Sequence, residues 1–177
     1  MRFTDGPSTH CDTLINASAE RVWQLVTDIE LPIRLSPELH RVTWLDGAEG
    51  PALGARFEGH NRSELLGDWR TVSHVVELAE LSAFAWAVTD EDGRYGAPTQ
   101  DPAAALATWR FDLAPEADGV RLRQSVRIGP GNSGVTTAIE RWPDKEEYIL
   151  DFRLNDLRTA MAANLADIKS RAEQADR

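Results

Sequence analysis

The segment from Gly119 to Gly129 alternates between apolar and polar side chains. Its sequence, GVRLRQSVRIG, places aliphatic residues on one face and three arginines on the other. This period of two predicts a β-strand with one buried and one exposed face. Gln124 interrupts the apolar face with an amide. A buried amide without partners costs roughly 1–3 kcal/mol, so Gln124 must either bond to a core neighbour or face a cavity where water or a ligand satisfies it.

Six further segments have strand-like character and are separated by turn residues. No helix-length segment divides them, as a parallel crossover would need, so they predict an antiparallel sheet of about six or seven strands. The segments are HCDTLIN (10–16), HRVTWL (40–45), GARFEGHNR (54–62), DWRTVSHVVEL (68–78), LSAFAWAVT (81–89) and LATWRFDLAP (106–115).

Near the N-terminus, two segments favour short helices. Residues 17–30, ASAERVWQLVTDIE, carry apolar side chains at helical spacing, with Ser18 as the predicted N-cap. Residues 31–40 contain Pro32 and Pro37, which predict a short second helix or a turn.

The C-terminal part of the chain predicts one long amphipathic helix. From Asp144 onward, apolar residues recur every three or four positions as far as Ile168. Such a stripe needs a surface to cover it, and the concave face of the sheet is the large apolar surface that remains. We interpret the preceding segment, GPGNSGVTTAIERWP (129–143), as a loop.

Composition and charge narrow the class of protein. The 177 residues predict a single domain over 1–177, and a net charge of −10 argues against nucleic acid and anionic lipid as partners.

Cys11 is the single cysteine and excludes an internal disulfide. The first residues lack a signal pattern and no apolar run is long enough to insert stably in a bilayer, so we expect a cytoplasmic protein. The oligomeric state is not indicated.

Several stretches resemble the helix-grip superfamily, which includes START domains, Bet v 1-like proteins and polyketide cyclases. They are INASAERVWQLVTDIE, LGARFEGHNR and ATWRFDLAPEADGVRLRQS, and with the GPGNSG loop they are similar to the bacterial polyketide cyclase/dehydrase (SRPBCC) branch. The resemblance implies an α+β fold in which a curved antiparallel sheet wraps around a long C-terminal helix. It also implies a cavity between sheet and helix that holds a small hydrophobic molecule.

Strand parity and helix spacing predict which side chains face such a cavity. Large aromatic residues share faces with a few hydrogen-bonding groups, which is typical of ligand sites but also of solid cores. The predicted ligand-binding residues are Phe57, Asn61, Trp69, Ser73, Trp86, Trp109, Phe111, Gln124, Leu154 and Met161.

The sequence carries no signature of catalysis or of a cofactor. The four histidines are not at metal-ligand spacing and no nucleophile motif or phosphate-binding loop is present, so we expect neither metal nor cofactor. The parity of β-strands places His60 and His74 on the face opposite the predicted cavity. Acid/base candidates on the helix lie beside its apolar stripe, at Tyr148, Asp151, Asn155 and Arg158.

Three functions remain open at this point. The first is binding or transport of a lipid-, polyketide- or isoprenoid-like ligand. The second is an aromatase/cyclase that uses acid/base groups in the same cavity, so whether the protein is an enzyme stays undecided. The third is a protein-interaction module with a filled core.

Overall fold

The computed structural model describes residues 1–34, 38–64 and 67–174, without the side chain of Ser63, and is built on one antiparallel sheet. The strands are β1 (Ser8–Ile15), β2 (Leu39–Trp44), β3 (Arg56–Ser63), β4 (Gly67–Ala79), β5 (Ala83–Thr89), β6 (Ala107–Glu116) and β7 (Gly119–Ile128). Their order is β1-β7-β6-β5-β4-β3-β2, so β1 and β2 form the edges of an open sheet. The predicted α+β helix-grip fold with seven strands is confirmed.

Two short helices follow β1, as predicted. Helix α1 (Ala19–Val26) begins after Ser18, whose hydroxyl accepts a hydrogen bond from the backbone N–H of Arg21 at 3.2 Å. A 3₁₀ helix spans Leu31–Arg34, and the predicted break at Pro37 lies outside the described residues.

The interpretation of residues 129–143 as a loop is wrong in its second half, where helix α2 (Gly134–Arg141) forms. The Ser133 hydroxyl accepts from the N–H of Val135, and the Thr136 hydroxyl accepts from the N–H of Ser133. This reciprocal arrangement is a capping box with threonine in the place where glutamate or glutamine is usual. The sequence signal was therefore weak, although the box supplies the hydrogen bonds that start the helix.

The long C-terminal helix, α3 (Glu146–Gln174), follows a 3₁₀ turn at Pro143–Lys145 and lies on the inner face of the sheet. It packs chiefly on β1 and also contacts β7, α1 and α2. Its apolar stripe is buried, which removes it from water as the amphipathic pattern required. The buried residues of the stripe are Leu150, Leu154, Leu157, Met161, Leu165, Ile168 and Ala172. In the described part of the chain, no helix combines the length and the apolar character needed to cross a bilayer.

Gly119 fixes the turn between β6 and β7. Its φ is +140°, and a Cβ atom built on it would stand 2.0 Å from the carbonyl oxygen of Ile15. Only a residue without a side chain allows this close approach of the turn to the end of β1. The turn therefore sets the position of the strand that carries Gln124.

Candidate functional site

The pairing register arranges inner-face side chains in rows that cross the sheet. In an antiparallel sheet, directly paired residues point to the same face, so a row brings together side chains from distant parts of the chain. Two adjacent rows carry bulky side chains, with Val126, Trp109 and Trp86 in one and Gln124, Phe111 and Phe84 in the other.

Trp86 is the centre of an aromatic cluster on this face. Its ring centroid lies 5.2 Å from that of Phe84, 5.8 Å from Phe111 and 6.5 Å from Phe57. The Trp109 ring lies 6.4 Å away and almost parallel, with 11° between the planes. These separations fall in the range in which aromatic rings attract one another, so the cluster forms a continuous aromatic wall.

A cavity of about 1010 Å³ lies between this wall and the helices. Its lining comes from the inner face of β2 to β7, from α1 and the 3₁₀ helix after it, from α2, and from one side of α3. Tyr148 and Phe152 line it while remaining 69% and 67% exposed, so the cavity reaches the surface near the start of α3. Buried Phe84, Phe111 and Ile168 line it elsewhere and belong to the main core. One end is therefore open and the other is closed by packed side chains.

Gln124 faces this cavity and also has a side-chain partner. The residue is 5% exposed and lines the cavity, and its Oε1 accepts a hydrogen bond of 2.9 Å from Nδ2 of Asn164 on α3. Both amides therefore belong to the cavity wall, one from the sheet and one from the helix. Within the described residues, the Gln124 Nε2 group has no hydrogen-bond partner, and neither has the Asn164 Oδ1 atom. The two alternatives raised for Gln124 are thus combined, because the amide bonds to a neighbour and still presents a donor to the cavity.

Two hydroxyl groups on β4 add further polar points to the lining. Ser73 is 4% exposed and Thr71 is half-buried, and both side chains line the cavity. Neither hydroxyl has a protein hydrogen bond among the described residues, so each is available to water or to a ligand. On the neighbouring strand, Asn61 Nδ2 donates to the carbonyl oxygen of Gly59 at 3.4 Å, which is a long hydrogen bond.

The ionisable side chains of the described lining are Asp28, Tyr95, Tyr148 and Arg153. Asp28, Tyr148 and Arg153 are exposed and Tyr95 is half-buried, so the group lies at the rim. Arg153 is already paired with Asp156, Nη1 to Oδ2, at 2.5 Å. In the described lining, the deeply buried polar groups are neutral amides and hydroxyls, a donor set that orients a ligand without supplying charge.

The connection between β5 and β6 contributes Tyr95 to the cavity lining. Asp90 holds its bend, with the two carboxylate oxygens accepting from the N–H groups of Arg94 and Tyr95 at 2.8 and 2.7 Å. The Arg94 guanidinium lies over the Trp69 ring, 5.3 Å from its centroid, and Tyr95 contributes to the lining. A cation–π contact thus ties this connection to β4.

The outer face of the sheet carries a separate cluster of charges around His74. His74 Nε2 lies 3.1 Å from the Thr89 hydroxyl and 3.4 Å from Glu91 Oε1, and Glu91 accepts from Arg56 Nη1 at 2.8 Å. Burial lowers the pKa of His74 below its ordinary value of 6.5, and Arg56 lowers it further, while Glu91 and Asp46 act in the opposite direction. The prediction that His74 faces away from the cavity is confirmed, because Ser73 lines it and His74 does not.

The structure brings together almost all of the predicted ligand-binding residues. Leu154 is the exception, since it packs against Val126 and Ile128 in a second core cluster and does not line the cavity. Met161, seven residues further along the same side of α3, belongs to that cluster too and still lines the cavity. The residues that line the cavity as predicted are Phe57, Asn61, Trp69, Ser73, Trp86, Trp109, Phe111, Gln124 and Met161.

Of the acid/base candidates on α3, only Tyr148 lines the cavity. Asp151 and Asn155 are exposed outside it, and Arg158 Nε donates to the Thr9 hydroxyl at 3.1 Å. On β3, His60 also lies outside the lining and bonds to Glu58 Oε1 at 2.8 Å. Asp151, Asn155, Arg158 and His60 therefore lie outside the cavity.

Sequence reasoning missed Asn164, although a signal was present. Asn164 follows Met161 by three positions and precedes Ile168 by four, so it occupies the apolar stripe of α3. An amide on that stripe poses the same question as Gln124 on its strand. The lining residues Val135 and Ala138 were missed because their segment was interpreted as a loop.

Solved structures of related folds cover nearly the whole chain. A polyketide-cyclase-like protein, Cgl2372 from Corynebacterium glutamicum, is 25% identical, with a TM-score of 0.63 over 92% of this chain and 88% of that one. The di-domain ARO/CYC protein StfQ from the steffimycin biosynthetic pathway is 11% identical, with a TM-score of 0.70 over 96% of this chain. The chain spans 51% of StfQ. Ara h 8.0201 is 12% identical, with a TM-score of 0.57 over 93% of this chain and 98% of that one.

The last two likenesses concern the fold alone, given their low identity. No protein with a curated function matches the sequence significantly. A family model described as "polyketide cyclase / dehydrase and lipid transport" matches residues 11–173, which include the whole cavity lining. With its seven-stranded sheet, long C-terminal helix and apolar cavity between them, the chain belongs to this polyketide cyclase/dehydrase and lipid transport family of the helix-grip superfamily.

Proposed function

We propose that the protein binds or transports a small hydrophobic ligand of lipid-, polyketide- or isoprenoid-like character in the cavity beneath α3. The observation that carries this proposal is a cavity of about 1010 Å³ whose inner wall is aromatic and whose ionisable groups lie at its rim. That volume is at the upper end of the usual range for ligand pockets. Removing apolar ligand surface from water there would contribute roughly 25 cal/mol per Å², from which the costs of association are subtracted.

The aromatase/cyclase alternative receives weaker support from the lining. A cyclase needs one or two proton-transfer groups within hydrogen-bond reach of its substrate. Asp28, Tyr95 and Tyr148 at the rim are candidates, but no histidine, lysine or glutamate belongs to the described lining. The interaction-module alternative assumed a filled core and receives less support, because the cavity is large and reaches the surface.

The binding proposal is tested by filling part of the cavity with one large side chain. Val88 lines it from β5, whereas Val76 is 38% exposed and does not line it. We expect wild-type protein and the control Val76→Trp to bind the neutral dye Nile red, and Val88→Trp to bind it at least about tenfold more weakly. Equal binding by the two tryptophan variants would place the dye outside the cavity and contradict the proposal.

Native mass spectrometry of the purified protein provides an independent test. A carrier that retains its ligand is expected to show an additional bound mass, which the Val88→Trp variant lacks. A poly-β-ketone that is converted to an aromatic product by wild-type protein, and not by Val88→Trp, would instead support the cyclase alternative. If the wild-type protein shows no bound mass and also fails to bind the dye, the binding proposal is overturned.

A further inference from the structure

We propose that the Gln124–Asn164 pair is the recognition site for an uncharged hydroxyl group on the hydrophobic ligand, an inference that rests on the proposed function. The pair joins β7 to α3 across the cavity wall through one hydrogen bond of 2.9 Å. The exposed fraction of Gln124 is 5%, so any ligand group that contacts it is largely removed from water. A ligand group that completes the hydrogen bonds of the pair therefore gains affinity and a fixed orientation.

The chemistry of two paired amides defines what they recognise. Each amide carries a carbonyl acceptor and an NH₂ donor, and the mutual hydrogen bond occupies one donor and one acceptor. The Gln124 NH₂ and the Asn164 carbonyl oxygen are left, and exchanging O and N in both amides would leave the same two functions on opposite residues. A hydroxyl both donates and accepts, so a single hydroxyl can bond to both members of the pair.

A charged group does not fit the same place. The cation of the described lining is Arg153, which is exposed at the rim and bound to Asp156. A carboxylate beside Gln124 would lose its hydration without gaining a counter-ion, which is strongly unfavourable. An acidic ligand would therefore place its carboxylate at the rim, and its affinity would not depend on Gln124.

The surroundings of the pair also predict the direction in which a ligand enters. Gln124 pairs in register with Phe111, which lies 5.8 Å from the central ring of Trp86. Phe152 at the exposed end and Asn164 are separated by twelve residues of α3, or about 18 Å along the helix axis at 1.5 Å per residue. A ligand would thus insert its hydroxyl end first, lie along the aromatic wall, and leave its apolar end near Phe152.

Three probes that share one ring system test the inference on wild-type protein. Naphthalene carries no polar group, 2-naphthol carries a hydroxyl that is neutral at pH 7, and 2-naphthoate carries a charge. Quenching of tryptophan fluorescence, with Trp86 and Trp109 in the cavity wall, reports their binding. We expect 2-naphthol to bind about 3–10-fold more tightly than naphthalene, and 2-naphthoate to bind at least about tenfold more weakly than 2-naphthol.

Variants of the pair separate recognition from general packing. In Gln124→Leu and Asn164→Leu, affinity for 2-naphthol should fall to that for naphthalene, while naphthalene and 2-naphthoate bind as to the wild type. Matched controls are Gln24→Leu on α1 and Asn155→Leu on α3, which make the same changes at exposed positions outside the lining. Because Asn164 is only half-buried on a helix, its variant is expected to fold even if Gln124→Leu does not.

The outcomes distinguish this inference from the function on which it rests. Hydroxyl recognition would be overturned if the wild type bound naphthalene and 2-naphthol with equal affinity. It would also be overturned if the variants lost affinity for all three probes to the same extent. In both cases the proposed binding function would be unaffected. Tight binding of 2-naphthoate that depends on Gln124 would also overturn hydroxyl recognition. If no probe binds and Nile red fails as well, the proposed function itself is wrong.

Discussion

The imidazole of His74 and the carboxylate of Glu91 lie 3.4 Å apart on the outer face of the sheet, at Nε2 and Oε1. The contact joins the middle of β4 to the connection that contributes Tyr95 to the cavity lining. Arg56 and Gln100 also bond to Glu91, at 2.8 and 3.3 Å. One side of this connection is thus held by a partly buried polar cluster, and the other by the contact between Arg94 and Trp69.

Acid should weaken this cluster through His74. Burial lowers the pKa of His74 in the folded protein below 6.5, so the unfolded chain binds the proton more readily. The free energy of unfolding should therefore decrease as the pH falls below about 6.5 and level off below the folded-state pKa. Thermal unfolding of His74→Gln between pH 7 and 5 should show a smaller decrease than wild type, whereas His10→Gln, at an exposed position, should keep the full decrease. The same pH dependence in His74→Gln would contradict this assignment.

Removing the Arg94 guanidinium should loosen the β5–β6 connection, which contributes Tyr95 to the cavity lining. An exposed cation–π contact contributes about 0.5–1 kcal/mol, so Arg94→Ala should accelerate ligand dissociation by about 2–5-fold. Stopped-flow displacement of Nile red measures this rate. The control Arg141→Ala removes a similar contact with Trp142, 4.8 Å from the ring centroid, where neither residue lines the cavity. Equal rates in both variants would count against a role for Arg94 in ligand dissociation.

Cavity and core substitutions should have separable effects. Trp86 faces the cavity and is only half-buried, so Trp86→Leu should weaken Nile red binding by about tenfold with a modest loss of stability. Leu122 has an exposed fraction of 0% and does not line the cavity, so Leu122→Ala should lower the free energy of unfolding by about 2–5 kcal/mol. Urea unfolding and dye titration of both variants measure the two quantities. A larger loss of stability in Trp86→Leu than in Leu122→Ala would show that Trp86 is chiefly a core residue.

The β6–β7 turn should tolerate no side chain. Gly119→Ala would place Cβ 2.0 Å from a backbone oxygen at a φ of +140°, and we expect a loss of at least about 3 kcal/mol. The control Gly47→Ala also has a positive φ, +75°, but its Cβ would meet nothing within 4 Å. Its cost should be limited to about 1–2 kcal/mol of backbone strain. Similar unfolding midpoints for the two variants would contradict the clash at Gly119.

Local patterns predicted most of the fold because each depends on near neighbours in sequence. Alternation revealed the strands, the spacing of apolar residues revealed α3, and Ser18 marked the start of α1. The pattern failed at α2, where Thr136 supplies half of the capping box in an unusual form. Parity also placed Trp86 and Gln124 on the inner face, because successive side chains of a strand point to opposite faces.

The sequence by itself determined which side chains turn inward, since that follows from periods of two and of three to four residues. Only the tertiary structure decided whether inward-facing residues touch each other or a void. Leu154 and Met161 share one stripe of α3 and one core cluster, yet only Met161 also lines the cavity. The hydrogen bond between Gln124 and Asn164, forty positions further along the chain, likewise depends on the tertiary structure. Contacts between distant segments depend on how whole elements pack, and no local period encodes that packing.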